Sequence, residues 1–191
     1  MIGAAFDSVY LAKYLRVNQT LWQRVEKGEI KPHFVKVRRF ELLLENIGMA
    51  YSPNAFSDSY LQCLAECSEP LEDAGEVLES LHGKYRVAIL TNGLQVVQRG
   101  RLARAVVRQH IGEIIISEKI GFAKPSKEFF DVALARLGHP SPREALRICD
   151  GWTSDILGVI QHGLDACWYN PGRKPALPIA GLRARSTLCA N

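Results

Sequence analysis

A chain of 191 residues with 47% hydrophobic and 23% charged residues can bury a real core and fits one domain with a smaller one appended, which excludes a fibrous or disordered protein. No run of about 18 uninterrupted apolar residues is present to span a membrane as a helix, and a net charge of +4 is too mild to single out nucleic acid as a partner. Met1 to Asp7 carries no basic leader, so the expectation is a soluble, cytoplasmic protein with neither a nucleic-acid nor a membrane partner. The five cysteines, Cys63, Cys67, Cys149, Cys167 and Cys189, are odd in number and lack zinc-type pairing, so they read as reduced thiols. Cys63 and Cys67, four apart on a predicted helix, are expected to pack in the core.

In chain order, the first 66 or so residues read as helical throughout. Over Pro32 to Gly48 the apolar Val37, Phe40, Leu44 and Ile47 recur at three- and four-residue steps, with proline suited to the first turn and glycine to the stop. Tyr10 to Trp22 and Phe56 to Cys67 repeat the pattern more weakly. The expected organisation is a small helical domain over 1–66 and an α/β core over 67–191.

After Ser68-Glu69-Pro70 strands alternate with helices. A helix over 71–82 precedes the strand Tyr85 to Leu90, and a helix from Gln95 to Val107 precedes Ile114 to Ile116. A helix over Lys127 to Leu137 leads to the strand Ala145 to Cys149, and one over Ile156 to His162 leads to Ala166 to Tyr169. Short apolar runs separated by helices predict a doubly wound α/β fold with a parallel sheet covered on both faces. Arg99, Arg101, Arg104 and Arg108 read as the solvated side of a helix. The tail from Pro171, with further prolines at 175 and 178, reads as a surface loop and a short final element.

Ligands of open parallel sheets gather at the carboxyl ends of the strands, so the strand-ending residues are the candidates. Thr91-Asn92-Gly93 follows the first strand and opens a helix, placing a hydroxyl, an amide and backbone N–H groups where a phosphate would be held. Lys124 lies just past the second strand, and Pro125 biases it to an extended conformation that can aim the ammonium inward. Asp150 ends the third strand and Asp155 opens the next helix; two carboxylates there suit a hard cation such as Mg²⁺. Each taken alone has an ordinary structural explanation: a turn, a surface lysine, a helix-start aspartate.

Together, with 33 residues from Thr91 to Lys124 and 26 from Lys124 to Asp150, these sites resemble the haloacid dehalogenase (HAD) superfamily of Mg²⁺-dependent phosphohydrolases. The stretches that carry the resemblance are Ala88 to Gly93, Ile116 to Pro125 and Asp150 to Gly158. Val17-Asn18-Gln19-Thr20-Leu21-Trp22, Gly28-Glu29-Ile30 and Cys167-Trp168-Tyr169-Asn170 resemble its pyrimidine 5′-nucleotidase subgroup. The resemblance implies a Rossmann-like core with an α-helical cap and a nucleoside 5′-monophosphate as substrate. It implies that Thr91, Asn92, Gly93 and Lys124 hold the phosphate, that Asp150 binds Mg²⁺, and that Asp155 supports the metal or Lys124. Trp22 and Phe56 are candidates for stacking on the base, with packing as the favoured role.

The family's chemistry uses an aspartate in an Asp-x-Asp motif to attack phosphorus, forming an aspartyl phosphate that water hydrolyses. No Asp-x-Asp occurs in the 191 residues; Asp7, followed by Ser8 and Val9, is the nearest candidate. The expectation is that the central first strand is missing and that the chain is an incomplete reading of a longer phosphatase. The alternatives are a non-catalytic phosphate- or nucleotide-binding protein and a haloacid dehalogenase proper.

Overall fold

The computed structural model describes residues 8–173 and 175. Asp7, Cys189 and the segment beyond Pro175 lie outside the described residues. Two compact units divide between Gly121 and Phe122.

The first unit begins with three helices, α1 (Ser8–Glu26), α2 (Pro32–Ile47) and α3 (Pro53–Glu66), with α2 packed against both of the others. Proline starts α2 and α3 where its missing N–H costs nothing. Ser52 caps α3 by accepting from the Ala55 N–H at 3.3 Å. Gly48 closes α2 in the left-handed conformation, φ 66°, which a Cβ would resist. The buried face of α2 consists of Pro32, Val35, Arg39, Phe40, Leu43 and Leu44. That stripe is rotated from the expected one: Val37 and Ile47 are only half-buried, and Arg39 lies inside it.

The unit continues with α4 (Ala74–Leu81), β1 (Ala88–Thr91), α5 (Gln95–Arg104), a 3-10 turn over Val106–His110, β2 (Glu113–Ile116) and the one-turn helix α6 (Ser117–Ile120). The first strand starts at Ala88 rather than Tyr85 because the N–H groups of Lys84 and Tyr85 both turn back to the Leu81 carbonyl. β1 and β2 pair in parallel, with Thr91 opposite Ile116. α5 packs on α3 so closely that a Cβ on Gly100 would come within 2.8 Å of the Ala65 methyl. Arg99, Arg101, Arg104 and Arg108 are exposed, as expected.

The second unit holds α7 (Lys127–Arg136), β3 (Leu146–Cys149), a single π-turn over Trp152–Ile156, α8 (Leu157–Gln161) and β4 (Asp165–Trp168). β3 and β4 form a second parallel pair, Cys149 opposite Trp168. Phe129, Phe130, Ala133, Ile156, Val159, Ala166 and Trp168 make its core. Strand pairing among the described residues therefore consists of two parallel pairs, β1 with β2 and β3 with β4. No helix among them is long and apolar enough to cross a membrane.

Cys63 and Cys67 are exposed, contrary to the packing expected of them, whereas Cys149 is buried. Burial first, then the charge of Asp155, pushes the Cys149 thiol up to about 11. At pH 8 Cys63 and Cys67 should therefore be alkylated well before Cys149. Peptide mass spectrometry after brief iodoacetamide treatment reads the order, and labelling of Cys149 at the rate of the other two would contradict it.

Candidate functional site

At the end of β1, Thr91 and Asn92 are partly buried and Gly93 is buried. The loop they form is held from the strand beside it. Ser117, fully buried directly after β2, accepts the Gly93 N–H at 3.1 Å. Glu118 accepts the Gln95 N–H at 2.6 Å, placing a carboxylate on the first turn of α5, where the helix field favours negative charge. The Gly93 and Gln95 N–H groups are thus already engaged within the unit.

In the second unit, Lys124 is 6% and Asp155 4% exposed. The Lys124 Nζ donates to Asp155 Oδ1 at 2.7 Å, and the Arg147 Nη2 donates to the same oxygen at 2.7 Å. Ser154 donates to Asp155 Oδ2 at 3.1 Å. Arg147 comes from β3, Asp155 from the π-turn, and Lys124 from the segment before α7, so three separate elements converge on one carboxylate. Burial favours the neutral acid at Asp155, but the two cations more than offset it and hold its carboxyl below the usual range. Burial, reinforced by the Arg147 charge, pulls Lys124 below an ordinary lysine despite the opposing pull of Asp155.

The π-turn brings the Asp155 and Ile156 N–H groups back to the Gly151 carbonyl at 3.2 and 3.1 Å. A Cβ on Gly151 would stand 2.6 Å from both Asp155 Oδ2 and Ser154 Oγ. Gly151→Ala should therefore push Asp155 off its partners and cost about 1–3 kcal/mol, the usual range for overpacking. Chemical denaturation measures this; a variant within about 0.5 kcal/mol of the parent, the ordinary spread of a neutral surface change, would contradict it.

Asp150 directly follows β3 and is exposed. Its carbonyl accepts the Trp168 indole N–H at 3.2 Å, and the Tyr169 N–H bonds the Cys149 carbonyl at 2.8 Å, so the backbone carrying it is fixed on both sides. An exposed carboxylate on a held backbone is the kind of donor that Mg²⁺ takes singly or in pairs while keeping water. Among the described residues no group of three or more His, Cys, Asp or Glu side chains is placed to hold a metal.

Sequence reasoning missed Arg147, Ser117 and Glu118. The strand-end rule would have found the last two, since they directly follow β2. Arg147 lies within β3, where nothing in the local pattern marks it. Phe56 stacks on Phe40 with ring centroids 4.9 Å apart, the packing role favoured for it.

A second polar cluster lies among the first three helices. Arg39 is only 3% exposed. Its Nη1 donates to Asn18 Oδ1 at 3.3 Å, and its guanidinium lies 4.9 Å from the Phe40 ring centre and 4.8 Å from that of Tyr60. The Tyr14 hydroxyl donates to the Tyr60 hydroxyl at 2.6 Å. Nε and Nη2 of Arg39 are buried without a hydrogen-bond partner among the described residues. Each such orphan donor costs about 1–3 kcal/mol. Burial lowers the Arg39 pKa, against the smaller opposing effect of the Tyr14 and Tyr60 hydroxyls, and raises that of Tyr14.

The family model of haloacid dehalogenase-like hydrolases matches residues 4–163. The pyrimidine 5′-nucleotidase YjjG of Escherichia coli (strain K12) is 35% identical over 168 residues, covering 88% of this chain and 74% of that protein. The pyrimidine 5′-nucleotidase PynA of Streptococcus pneumoniae (strain ATCC BAA-255 / R6) is 29% identical, covering 88% and 72%. The magnesium-bound orthorhombic crystal form of Bacillus subtilis YfnB matches with a TM-score of 0.84 at 31% identity, over 89% of this chain and 76% of that one.

Proposed function

Because the chain belongs to the haloacid dehalogenase-like hydrolases, we propose that it is a Mg²⁺-dependent phosphohydrolase whose substrate is a nucleoside 5′-monophosphate. The likeness to YjjG and PynA favours a pyrimidine base. In this reading residues 1–66 form the cap and 67–191 a doubly wound α/β core.

The observation that carries the proposal is the buried Lys124. A lysine withdrawn from water is costly for the fold, and an ammonium anchored by Asp155 at 2.7 Å is a group that can neutralise a phosphoryl charge. Thr91 donates its hydroxyl to the phosphoryl oxygens, beside Asn92 and Gly93. Asp155, with both oxygens engaged, orients Lys124. Asp150 has the donor chemistry for Mg²⁺ and would hold it, sharing coordination with water and phosphate oxygens. The metal when bound supplies charge stabilisation at the phosphoryl group.

Phosphate release from pyrimidine nucleoside 5′-monophosphates in Mg²⁺ tests this. Turnover that Asp150→Asn lowers at least about tenfold, in line with losses on disturbing a metal site, supports it. A second reading, binding without turnover, is favoured by the lack of any Asp-x-Asp in the 191 residues. Nucleotide binding that depends on Lys124 with no phosphate released would select it.

A further inference from the structure

We propose that Cys63 and Cys67 together form a chelating site for a soft, two-coordinate cation, with Cu(I) as the ion it fits. The pair takes no part in the phosphohydrolase reading and stands or falls independently of it.

Both thiols are exposed, so neither is committed to a core. Cys63 lies in the last turn of α3 and Cys67 caps that helix, its N–H bonding the Cys63 carbonyl at 3.2 Å. Cys67 keeps a helical φ of −73° and leaves the helix only at ψ, 101°. Because the direction of Cβ is set by the backbone up to φ, the Cys67 side chain departs as an i+4 residue does, one turn above Cys63 on the same face. The backbone beneath the pair is held in place. Arg101 Nε donates to the Cys67 carbonyl at 2.8 Å, and Ala65, between the two cysteines, is buried where Gly100 of α5 approaches it.

Spacing decides what such a pair can do. Cβ atoms at i and i+4 stand about 5–6 Å apart, whereas a disulfide needs about 3.5–4.5 Å. Oxidation to an intramolecular disulfide would therefore have to distort the end of α3. Two sulfurs on one ion need no such approach: with metal–sulfur bonds of about 2.3 Å, a linear unit spans about 4.6 Å between sulfurs. Side chains that start about 5–6 Å apart reach that span without moving the helix. Thiolates select soft ions. Among the described residues no group of three or more His, Cys, Asp or Glu side chains is placed to hold a metal, so the pair lacks the four-ligand set of a structural zinc. Two thiolates do complete the linear coordination of Cu(I). On binding, each thiol gives its proton to solvent and each sulfur donates an electron pair to the ion, with no electron transferred.

The test is anaerobic titration of the reduced full chain with Cu(I) held by the indicator bicinchoninate, repeated with Zn(II) in place of Cu(I), beside thermal melts. The parent is expected to withdraw one Cu(I) per chain from the indicator. Cys63→Ser and Cys67→Ser should each weaken uptake at least about a hundredfold, as loss of one of two tethered contacts requires, while Cys189→Ser leaves it unchanged. Adding Gln62→Cys to the Cys63→Ser chain should not restore it, because residues five apart lie on different faces of a helix. Cys63, Cys67 and Gln62 are exposed, so the variants should melt with the parent in the absence of metal, and Cu(I) should raise the Tm of the parent but not of the two single variants. Uptake that survives either serine change, that returns with Gln62→Cys, or that Cys189→Ser abolishes overturns the inference. A parent that leaves the indicator its copper, or that binds Zn(II) as tightly as Cu(I), overturns it as well.

Discussion

Asp155→Ala is expected to destabilise the protein by about 3–5 kcal/mol, the range for removing one partner from a buried ion pair. The side chains of Lys124 and Arg147, 8% and 17% exposed, would then lose the carboxylate they share. Lys124→Ala should cost less than half as much, because Asp155 keeps Arg147 at 2.7 Å. Urea unfolding of both variants provides the comparison, and equal losses would contradict the shared-carboxylate arrangement. The same cluster fixes a pH dependence. With its folded pKa held below the unfolded value, Asp155 contributes stability that is complete above about pH 4 to 5, past the unfolded carboxylate value of roughly 3.9. That contribution is lost as the pH falls through the lower folded pKa. Asp155→Ala should therefore flatten the acid limb of the stability profile.

Phe40→Ala is expected to cost about 3–5 kcal/mol, a fall in Tm of roughly 6–20 °C for a chain of this size. Phe40 is fully buried on α2 and lies against Tyr14, Phe56 and Tyr60, with ring centroids 6.0, 4.9 and 5.2 Å away. One truncation therefore removes the ring on which α1 and α3 both rest, as well as one of the two faces under Arg39. A loss below about 1 kcal/mol, typical of a half-exposed position, would show that the three helices pack in some other way.

The helices were legible because their start and stop signals are local: Pro32 and Gly48 bracket α2 within a residue of where the chain places them. The strands were legible as apolar runs, yet β1 begins at Ala88 and not at Tyr85, whose N–H is held by the turn to Leu81, which composition does not encode. The candidate residues Thr91 and Asp150 were legible from the carboxyl end of a strand, and Lys124 from the proline that follows it. The site was not legible at Arg147, whose role comes from the pleat of β3 aiming it at a carboxylate eight positions further on. Arg39 was missed for a related reason. Helical periodicity counts an arginine as surface, while the three-helix packing turns it inward among aromatic rings.

The role proposed for Lys124, anchored by Asp155, and for Mg²⁺ at Asp150 is to hold the phosphate of a nucleotide. Calorimetric titration of a pyrimidine nucleoside 5′-monophosphate into the folded chain and into Lys124→Ala, with Mg²⁺ and then with EDTA, tests it most directly. Binding that Lys124→Ala weakens at least about tenfold, as loss of a charge-assisted phosphate contact requires, and that EDTA also weakens is the predicted result. Binding that neither change affects, or no binding by the folded parent chain, would contradict it.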